Sequence, residues 1–354
     1  MELKTLLKEL SGLMSVTGFT HKSGEKLRAL VGEAFDEYYS DSVGNHVFIR
    51  RCGKQNAPKI LIDTHYDEIG MMVTKVNKGG FLSITNIGGL DMRIMQAAEV
   101  IVYGEDENGN EKEIYGVIVS TPPHLTKPSE VKKLKEIGEL YIDTGYSEDQ
   151  LKKYVRLGTP VGFRGVYRDL LNNRITGKSF DCKSCGACAV HAIANTPREE
   201  LAGDVYMLFS NFEETGIPFG GATVAGYSID PDYALVADVT GAAIPGSPRG
   251  AAKMGKGATI TLAPITNRRM SKMLIKLAEE KGVDLQIEVA AGRTGTNTTA
   301  LNLVRSGIPL VDIGLPLRNM HTYNEVISVD DAESVSNVIK LFITSNEIAE
   351  VFKR

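Results

Sequence analysis

The secondary-structure pattern of this chain changes twice, and these changes limit the folds that it can adopt. From Met71 to about Val166, short runs of alternating apolar and polar residues are separated by glycine-rich turns. Such runs are typical of a small β-barrel or sandwich. On both sides, helical periodicity alternates with continuous apolar runs, as in an α/β domain. We therefore predict an α/β domain of residues 1–69 and 167–354, interrupted by an inserted β-domain of residues 70–166.

The clearest helical signals lie near the two ends of the chain. Apolar residues at spacings i, i+3, i+4 and i+7 predict an amphipathic helix over residues 2–13. The final helix is predicted to begin at Ser328, with Asp331 in the reciprocal position of a capping box.

Length and charge exclude several classes of protein. The chain has 354 residues, enough for two domains, and its 40 Lys+Arg against 44 Asp+Glu give a net charge of −4. The sequence has no polybasic block, so the charge pattern does not indicate a nucleic-acid or membrane partner. No apolar run approaches the ~20 residues of a spanning helix, and the N-terminus lacks a secretory signal. We therefore expect a cytoplasmic protein.

Three of the four cysteines are closely spaced. Cys182, Cys185 and Cys188 follow a C-x-x-C-x-x-C spacing, which can bind a soft metal or a cluster. The surrounding small apolar residues favour a helix packed against a sheet, with buried thiols. The three thiols would converge on one ion only if the first helical turn were irregular. Cys52 lies apart, and a disulfide is not expected in a reducing compartment.

A histidine and an aspartate follow an apolar strand early in the chain. The run Ile60–Ile62 predicts a buried strand, and His65 and Asp67 come at its end. In open α/β sheets, ligands bind outside the strand ends. This motif alone is weak evidence for a binding site, because a histidine on the surface of the protein can occur in the same sequence pattern.

Other candidate residues also follow strands or lie in loops. Taken singly, Asp181 can be a helix N-cap, Glu213 and Glu214 can form a solvated turn, and Asp238 or His321 can be structural. Taken together, two histidines and several carboxylates at strand ends indicate a site for two borderline metal ions.

The candidate residues belong to five short motifs, which are His65-Tyr-Asp67, Lys178-Ser-Phe-Asp181, Glu213-Glu-Thr-Gly216, Ala237-Asp-Val-Thr240 and Arg318-Asn-Met-His321-Thr322. The order of these motifs resembles that of the M42 metallo-aminopeptidases. This family includes glutamyl aminopeptidases and proteins labelled endoglucanase M or cellulase M. The resemblance implies a three-layer α/β/α zinc-peptidase fold with a small, barrel-like inserted domain that mediates dimerisation, and dimers that assemble into a tetrahedral dodecamer.

The resemblance also implies the metal ligands. Asp181 would bridge two divalent ions, zinc or cobalt. His65 and Asp238 would complete one metal site, and Glu214 and His321 the other.

Catalytic roles follow from the same resemblance. Glu213 would act as general base on a metal-bridging water that attacks the N-terminal peptide bond of short peptides. The carboxylate of Asp67 would orient His65 and fix its tautomer.

Two loops depart from the family pattern. The family usually continues the bridging aspartate with Asn or Asp and then Arg, whereas this chain has Cys182 and Lys183. The peptide bond at this position is typically cis in related enzymes. In Gly292–Thr296, an arginine has entered and an aspartate has become glycine. We expect Arg293 and Thr294 to contact the substrate. The added positive charge is compatible with acidic substrates, with weaker metal binding or with lost activity.

Two alternatives to an active aminopeptidase remain. The altered loops also fit a catalytically impaired relative that binds peptides or acts as a scaffold. A glycoside hydrolase would need two carboxyl groups facing each other across a sugar, ~5–9.5 Å apart. Adjacent Glu213 and Glu214 do not suggest that arrangement, and the histidines would have no role.

Overall fold

A computed structural model describes residues 1–127, 129, 133–216, 220–248 and 250–353. The α-helices within these ranges are α1 (Leu3–Gly12), α2 (Gly24–Val31), α3 (Glu148–Leu151), α4 (Phe180–Ala194), α5 (Gly221–Ile229), α6 (Arg268–Lys281), α7 (Thr298–Asn302), α8 (Val329–Thr344) and α9 (Asn346–Phe352). The strands are β1 (Glu37–Ser40), β2 (His46–Arg50), β3 (Lys59–His65), β4 (Gly70–Val76), β5 (Phe81–Ile87), β6 (Glu99–Glu105), β7 (Glu111–Val119), β8 (Tyr141–Asp143), β9 (Pro160–Phe163), β10 (Arg168–Leu170), β11 (Arg174–Gly177), β12 (Asp204–Ser210), β13 (Tyr233–Gly241), β14 (Ala258–Leu262), β15 (Leu285–Val289), β16 (Leu310–Arg318) and β17 (Glu325–Ser328).

The larger sheet is mixed, with a parallel centre. Its strand order is β1-β2-β12-β3-β13-β16-β17-β11-β10, and β14 pairs with both β16 and β15. The four central strands β12, β3, β13 and β16 run parallel. Helices cover both faces of such strands, which explains why the sequence shows continuous apolar runs there.

Alternate residues of the central strands enter two separate apolar clusters. Ile60 and Ile62 of β3 pack with α1, α4 and α8 on one face. Leu61 packs with α5 and α7 on the other face. Because successive strand side chains point to opposite faces, this division gives three α/β/α layers.

Strands β4 to β9 form a closed barrel in the order β4-β5-β8-β7-β6-β9. Val100 and Val102 of β6 point into its apolar core together with Ile114 and Ile118 of β7. Closure leaves the barrel without free edges. The predicted fold class, an α/β sheet domain combined with a small β-barrel, is confirmed.

The helix predicted after Ser328 begins where expected, but its capping box is absent and it is not the last helix. Helix α8 begins at Val329, but the side chain of Ser328 makes no capping hydrogen bond, and α9 follows α8. Asp331 instead accepts hydrogen bonds from the amides of Gly255 and Gly257, each at 2.7 Å. Its carboxylate therefore fixes the turn that leads into β14. In the described part of the chain, no helix has the length and apolarity needed to cross a bilayer.

Candidate metal centre and active site

The central parallel strands bring the candidate residues to one edge of the sheet. His65 is the last residue of β3, and Glu213 and Glu214 follow β12, which ends at Ser210. Asp238 lies within β13, which continues to Gly241. Asp181 is the second residue of helix α4, and His321 lies between β16 and β17.

The two carboxylate oxygens of Asp181 face two different histidines. Oδ1 lies 3.0 Å from Nε2 of His65, and Oδ2 lies 3.5 Å from Nε2 of His321. Nε2 of His65 is also 3.6 Å from Oδ1 of Asp238, and Nε2 of His321 is 3.4 Å from Oε2 of Glu214. The structure thus brings the five candidate residues close together, grouped as the resemblance implies.

The five candidate ligands, His65, Asp181, Glu214, Asp238 and His321, form a cluster whose charges fit divalent cations. Among the described residues, no lysine or arginine lies within ion-pair distance of Asp181, Glu214 or Asp238; histidines are their only basic partners. Burial, together with the negative charge of Asp181, raises the pKa of Glu214 well above its ordinary value. Grouped buried carboxylates are costly unless they are paired or coordinate metals. The donor set of imidazole nitrogens and carboxylate oxygens matches zinc or cobalt.

The imidazole of His65 is held in one orientation. Its Nδ1 lies 2.9 Å from the main-chain carbonyl of Asp67, which can only accept, so Nδ1 carries the proton. In the neutral ring, Nε2 then presents its lone pair to the cluster. Burial opposes the charged form, but the carboxylates of Asp238 and Asp181 outweigh it and raise the pKa of His65.

The role predicted for the Asp67 carboxylate is corrected. Its Oδ1 is 3.8 Å from Nδ1 of His65, too far for a hydrogen bond. The carboxylate instead accepts hydrogen bonds from Oγ1 of Thr17 (2.9 Å) and from the amides of Glu213 (3.3 Å) and Glu214 (3.2 Å). Asp67 therefore orients His65 through its carbonyl, and its carboxylate fixes the loop that carries the two glutamates.

Glu213 borders both the cluster and a cavity of about 270 Å³. Burial raises its pKa to about 8, with a contribution from Asp238 and opposition from His65. A carboxylate that titrates near neutrality can both take up and release a proton during a reaction. The position of Glu213, between the predicted ligands and the cavity, therefore suits a group that exchanges protons with a bound substrate.

The two substrate-contact candidates lie on different sides of their loop. Arg293 lines the same cavity as Glu213. Thr294 makes a 2.9 Å hydroxyl contact with Thr296, which donates to Oδ2 of Asp312 at 3.0 Å. Arg293 thus faces the space beside the cluster, whereas Thr294 supports the loop.

The barrel reaches the cluster through the loop after β5. A Cβ atom added at Gly89 would lie 3.3 Å from Nδ1 of His321. That close approach explains why a residue without a side chain occupies this position.

Sequence analysis assigned no role to Glu325, although the structure places it next to the cluster. Its buried carboxylate accepts hydrogen bonds from the amides of Asp181 and His321, each at 3.2 Å. It therefore positions two of the predicted ligands. The sequence feature that could have identified Glu325 is its position at the start of a short apolar strand, close after the motif that contains His321.

Cys182 is the second residue whose position the sequence left open. The peptide bond between Asp181 and Cys182 is cis, as the resemblance implies. The first turn of α4 is irregular at these two residues. In the described part of the chain, Cys185 and Cys188 join no metal-binding group, but Sγ of Cys182 lies with donor atoms of His65 and Asp238, all within 4.8 Å of one another.

A buried ion-pair network lies beside the cluster. The carboxylate of Glu68 accepts from Nζ of Lys178 at 2.6 Å and from Nζ of Lys183 at 3.2 Å. It also accepts from the hydroxyl of Ser179 and from the amide of Ser15. Lys183 donates in addition to the carbonyl of Leu13 at 2.5 Å. The network joins the segment after α1, the end of β3 and the start of α4.

Comparisons with known proteins agree with this geometry. The family model for M42 glutamyl aminopeptidase matches residues 44–338. Lysyl aminopeptidase from Pyrococcus furiosus is 28% identical over 341 residues, which cover 95% of this chain and 94% of the relative. An aminopeptidase from the archaeon Desulfurococcus kamchatkensis has a TM-score of 0.88 at 29% identity, covering 99% and 98% of the two chains. A TET aminopeptidase from the marine sediment archaeon Thaumarchaeota archaeon SCGC AB-539-E09 has a TM-score of 0.89 at 28% identity, covering 99% of both chains.

The family predicted from the ordered motifs is confirmed, because the match covers most of the chain and includes every candidate site residue. Relatives and structural neighbours that cover nearly the whole length are named aminopeptidases. This chain belongs to the M42 glutamyl aminopeptidase family and is a metal-dependent exopeptidase.

Proposed function

We propose that the cluster binds two divalent cations, zinc or cobalt, and removes the N-terminal residue from short peptides. Asp181 would bridge the ions, His65 and Asp238 would hold one, and Glu214 and His321 the other. The observation that carries this proposal is that the two oxygens of Asp181 face two histidines on separate elements. A bridging carboxylate needs this arrangement.

The side chains of the protein supply the proton transfers. When bound, the cations would polarise a peptide carbonyl and lower the pKa of a water molecule, which supplies a nucleophile near neutral pH. Glu213 takes the proton of that water and passes it to the amine that leaves. Hydrogen bonds from the amides of Glu213 and Glu214 to Asp67 keep the base at the edge of the cavity. Glu325 holds the backbone of Asp181 and His321 in register during the reaction.

The cavity beside Glu213 is proposed to receive the side chain of the first peptide residue. Arg293 is the only cationic side chain among the described residues that line it. A guanidinium group pairs well with a carboxylate. We therefore infer a preference for peptides that begin with glutamate or aspartate, with Thr294 supporting the loop that presents Arg293.

A panel of aminoacyl chromogenic substrates tests this function directly. Protein loaded with zinc or cobalt is expected to release the chromophore, to lose this activity when the metal is chelated and to regain it when metal is added back. Glutamyl and aspartyl substrates should be cleaved faster than lysyl ones. Full metal occupancy without release from any substrate would favour the alternative, a catalytically impaired relative that binds peptides or acts as a scaffold. Faster cleavage of lysyl substrates would contradict the role of Arg293.

We propose that residues 70–166 act as a separate domain that mediates dimerisation. The dimers are proposed to form a tetrahedral dodecamer. One outer face of the barrel supports this proposal. Val117 of β7 and Phe81 of β5 both lie opposite Asp143 of β8, and Tyr115 and Tyr141 extend the same face by strand alternation. All four are large exposed side chains. A contiguous apolar face of this kind marks an interaction site.

Light scattering coupled to size-exclusion chromatography tests this surface. Tyr115→Arg is expected to shift the assembly towards smaller species, because a charge would be buried in the interface. Leu303→Arg, at an exposed apolar position outside the barrel, should leave the mass unchanged. A monomeric wild-type protein would contradict the proposed dimerisation.

The predicted cytoplasmic location also stays a proposal. All four thiols are free, which fits a reducing compartment.

A further inference from the structure

We propose that Cys182 is itself a metal ligand, binding the cation that His65 and Asp238 hold. This inference rests on the proposed metal-dependent function and adds a sulfur donor to one side of the centre.

The thiol does not stand alone in an apolar core. Its Sγ, an imidazole nitrogen of His65 and a carboxylate oxygen of Asp238 lie within 4.8 Å of one another. The three side chains come from α4, β3 and β13, and all three are buried. Three donors of different chemistry that meet at one point are a better match to a metal site than to simple packing.

The local backbone explains why only one of the three neighbouring cysteines takes part. Asp181 and Cys182 have non-helical backbone angles, so the first turn of α4 departs from helical geometry. All three cysteines are fully buried in the same apolar cluster under the sheet. Only Cys182 lies in the irregular turn, and among the three thiols of the described helix only its Sγ lies with donor atoms of His65 and Asp238. The irregular turn therefore places Cys182, and not the two cysteines that follow it, where it can bind the cation.

The present partners of the thiol are weak and can be exchanged. Sγ lies 3.3 Å from the carbonyl oxygen of Ala237, the residue before Asp238, and its other hydrogen-bond partner is the thiol of Cys185. A thiol is a poor hydrogen-bond donor. When sulfur binds the cation, the S–H proton passes to solvent and a sulfur–metal bond replaces the hydrogen bond, with no change of oxidation state.

The added ligand makes the two halves of the centre unequal. On the His65 side, the donors would be one imidazole, the carboxylates of Asp181 and Asp238, and the thiolate. Four protein donors including sulfur resemble a firmly held zinc site, whereas three leave a position open for water or substrate. The side with Glu214 and His321 keeps three protein donors. We therefore expect one cation to be held more tightly than the other, and soft cations to be preferred over magnesium or manganese.

Cobalt spectroscopy tests the sulfur ligand independently of peptide hydrolysis. Wild-type protein loaded with cobalt(II) is expected to show an intense thiolate-to-cobalt charge-transfer band in the near ultraviolet. Cys182→Ser should lose this band and bind the tighter ion at least ~10-fold more weakly, the lower end of the loss seen for outer ligand partners. Cys188→Ala is the matched control, because Cys188 is equally buried in the same helix. This control should keep both the band and the affinity.

X-ray absorption of the zinc-loaded wild-type protein gives a second readout that needs no Cys182 variant. A sulfur neighbour at ~2.3 Å from zinc is expected. Two bound cobalt ions without a charge-transfer band, or a zinc shell without sulfur, would overturn the inference and leave the proposed function intact. A thiolate band in protein that cleaves no peptide would support the inference and contradict the proposed function. Protein that binds neither cation would overturn both.

Discussion

Replacing Glu213 by glutamine is expected to lower kcat by ~10²–10⁴-fold, the usual contribution of a general base. Glutamine keeps the size of the side chain but cannot accept the proton of the attacking water. The amide of residue 213 would still donate to Asp67, so the loop should keep its place. Steady-state rates on the best substrate of the panel, together with metal analysis of the same samples, measure the effect.

Glu214→Gln provides the contrast at the adjacent position. The Oε2 atom of Glu214 lies 3.4 Å from Nε2 of His321, within the predicted metal site. This variant should lose bound metal as well as activity, whereas Glu213→Gln should retain two cations per chain. Nearly unchanged turnover in Glu213→Gln would show that another group is the base.

The second large effect is expected on stability, from Glu68→Gln. Removing one partner of a buried ion pair typically costs ~3–5 kcal/mol, because the other charge stays buried without compensation. In this variant, both Lys178 and Lys183 would lose their carboxylate partner. Urea unfolding in the presence of a chelator measures the free energy of unfolding without a contribution from bound metal.

A surface glutamate that also pairs with lysine is the matched control for this variant. Glu111 lies 3.7 Å from Nζ of Lys22 and is about half exposed. Exposed pairs contribute ~0–1 kcal/mol, so Glu111→Gln should be close to the wild type. Equal losses in the two variants would contradict the role given to the buried network.

The pH dependence of the Glu68 effect has a defined sign. Burial alone would raise the pKa of Glu68, but Lys178 and Lys183 outweigh it and lower the pKa from 4.5 to about 2. A carboxylate whose pKa is lower in the folded state stabilises the protein above its unfolded pKa. The stability difference between wild type and Glu68→Gln should therefore be complete from pH 4.5 up to about 7, where Lys183 begins to lose its proton. It should shrink as the pH falls from 4.5 towards 2. A difference that stays constant over this range would contradict the assignment.

The fold class could be predicted because it depends on local sequence patterns, whereas the resemblance in motif order singled out the five ligands among the candidate residues. Strand alternation distinguishes the barrel from the parallel sheet, and parallel strands carry their ends to one edge. Asp331 shows the limit of such reasoning. Its spacing from Ser328 fits a capping box, yet its carboxylate binds the turn at Gly255 and Gly257, more than seventy positions away in sequence.

The sequence by itself determined the two types of domain and the order of the residues that meet at the sheet edge, because apolar periodicity and residue type are local properties. Only the tertiary structure decided that Glu325 supports Asp181 across 144 positions, that Asp67 holds the glutamate loop, and that Cys182 rather than its neighbouring cysteines faces the cluster. These contacts form between segments that are distant in the chain, so their geometry leaves no periodic trace in the sequence.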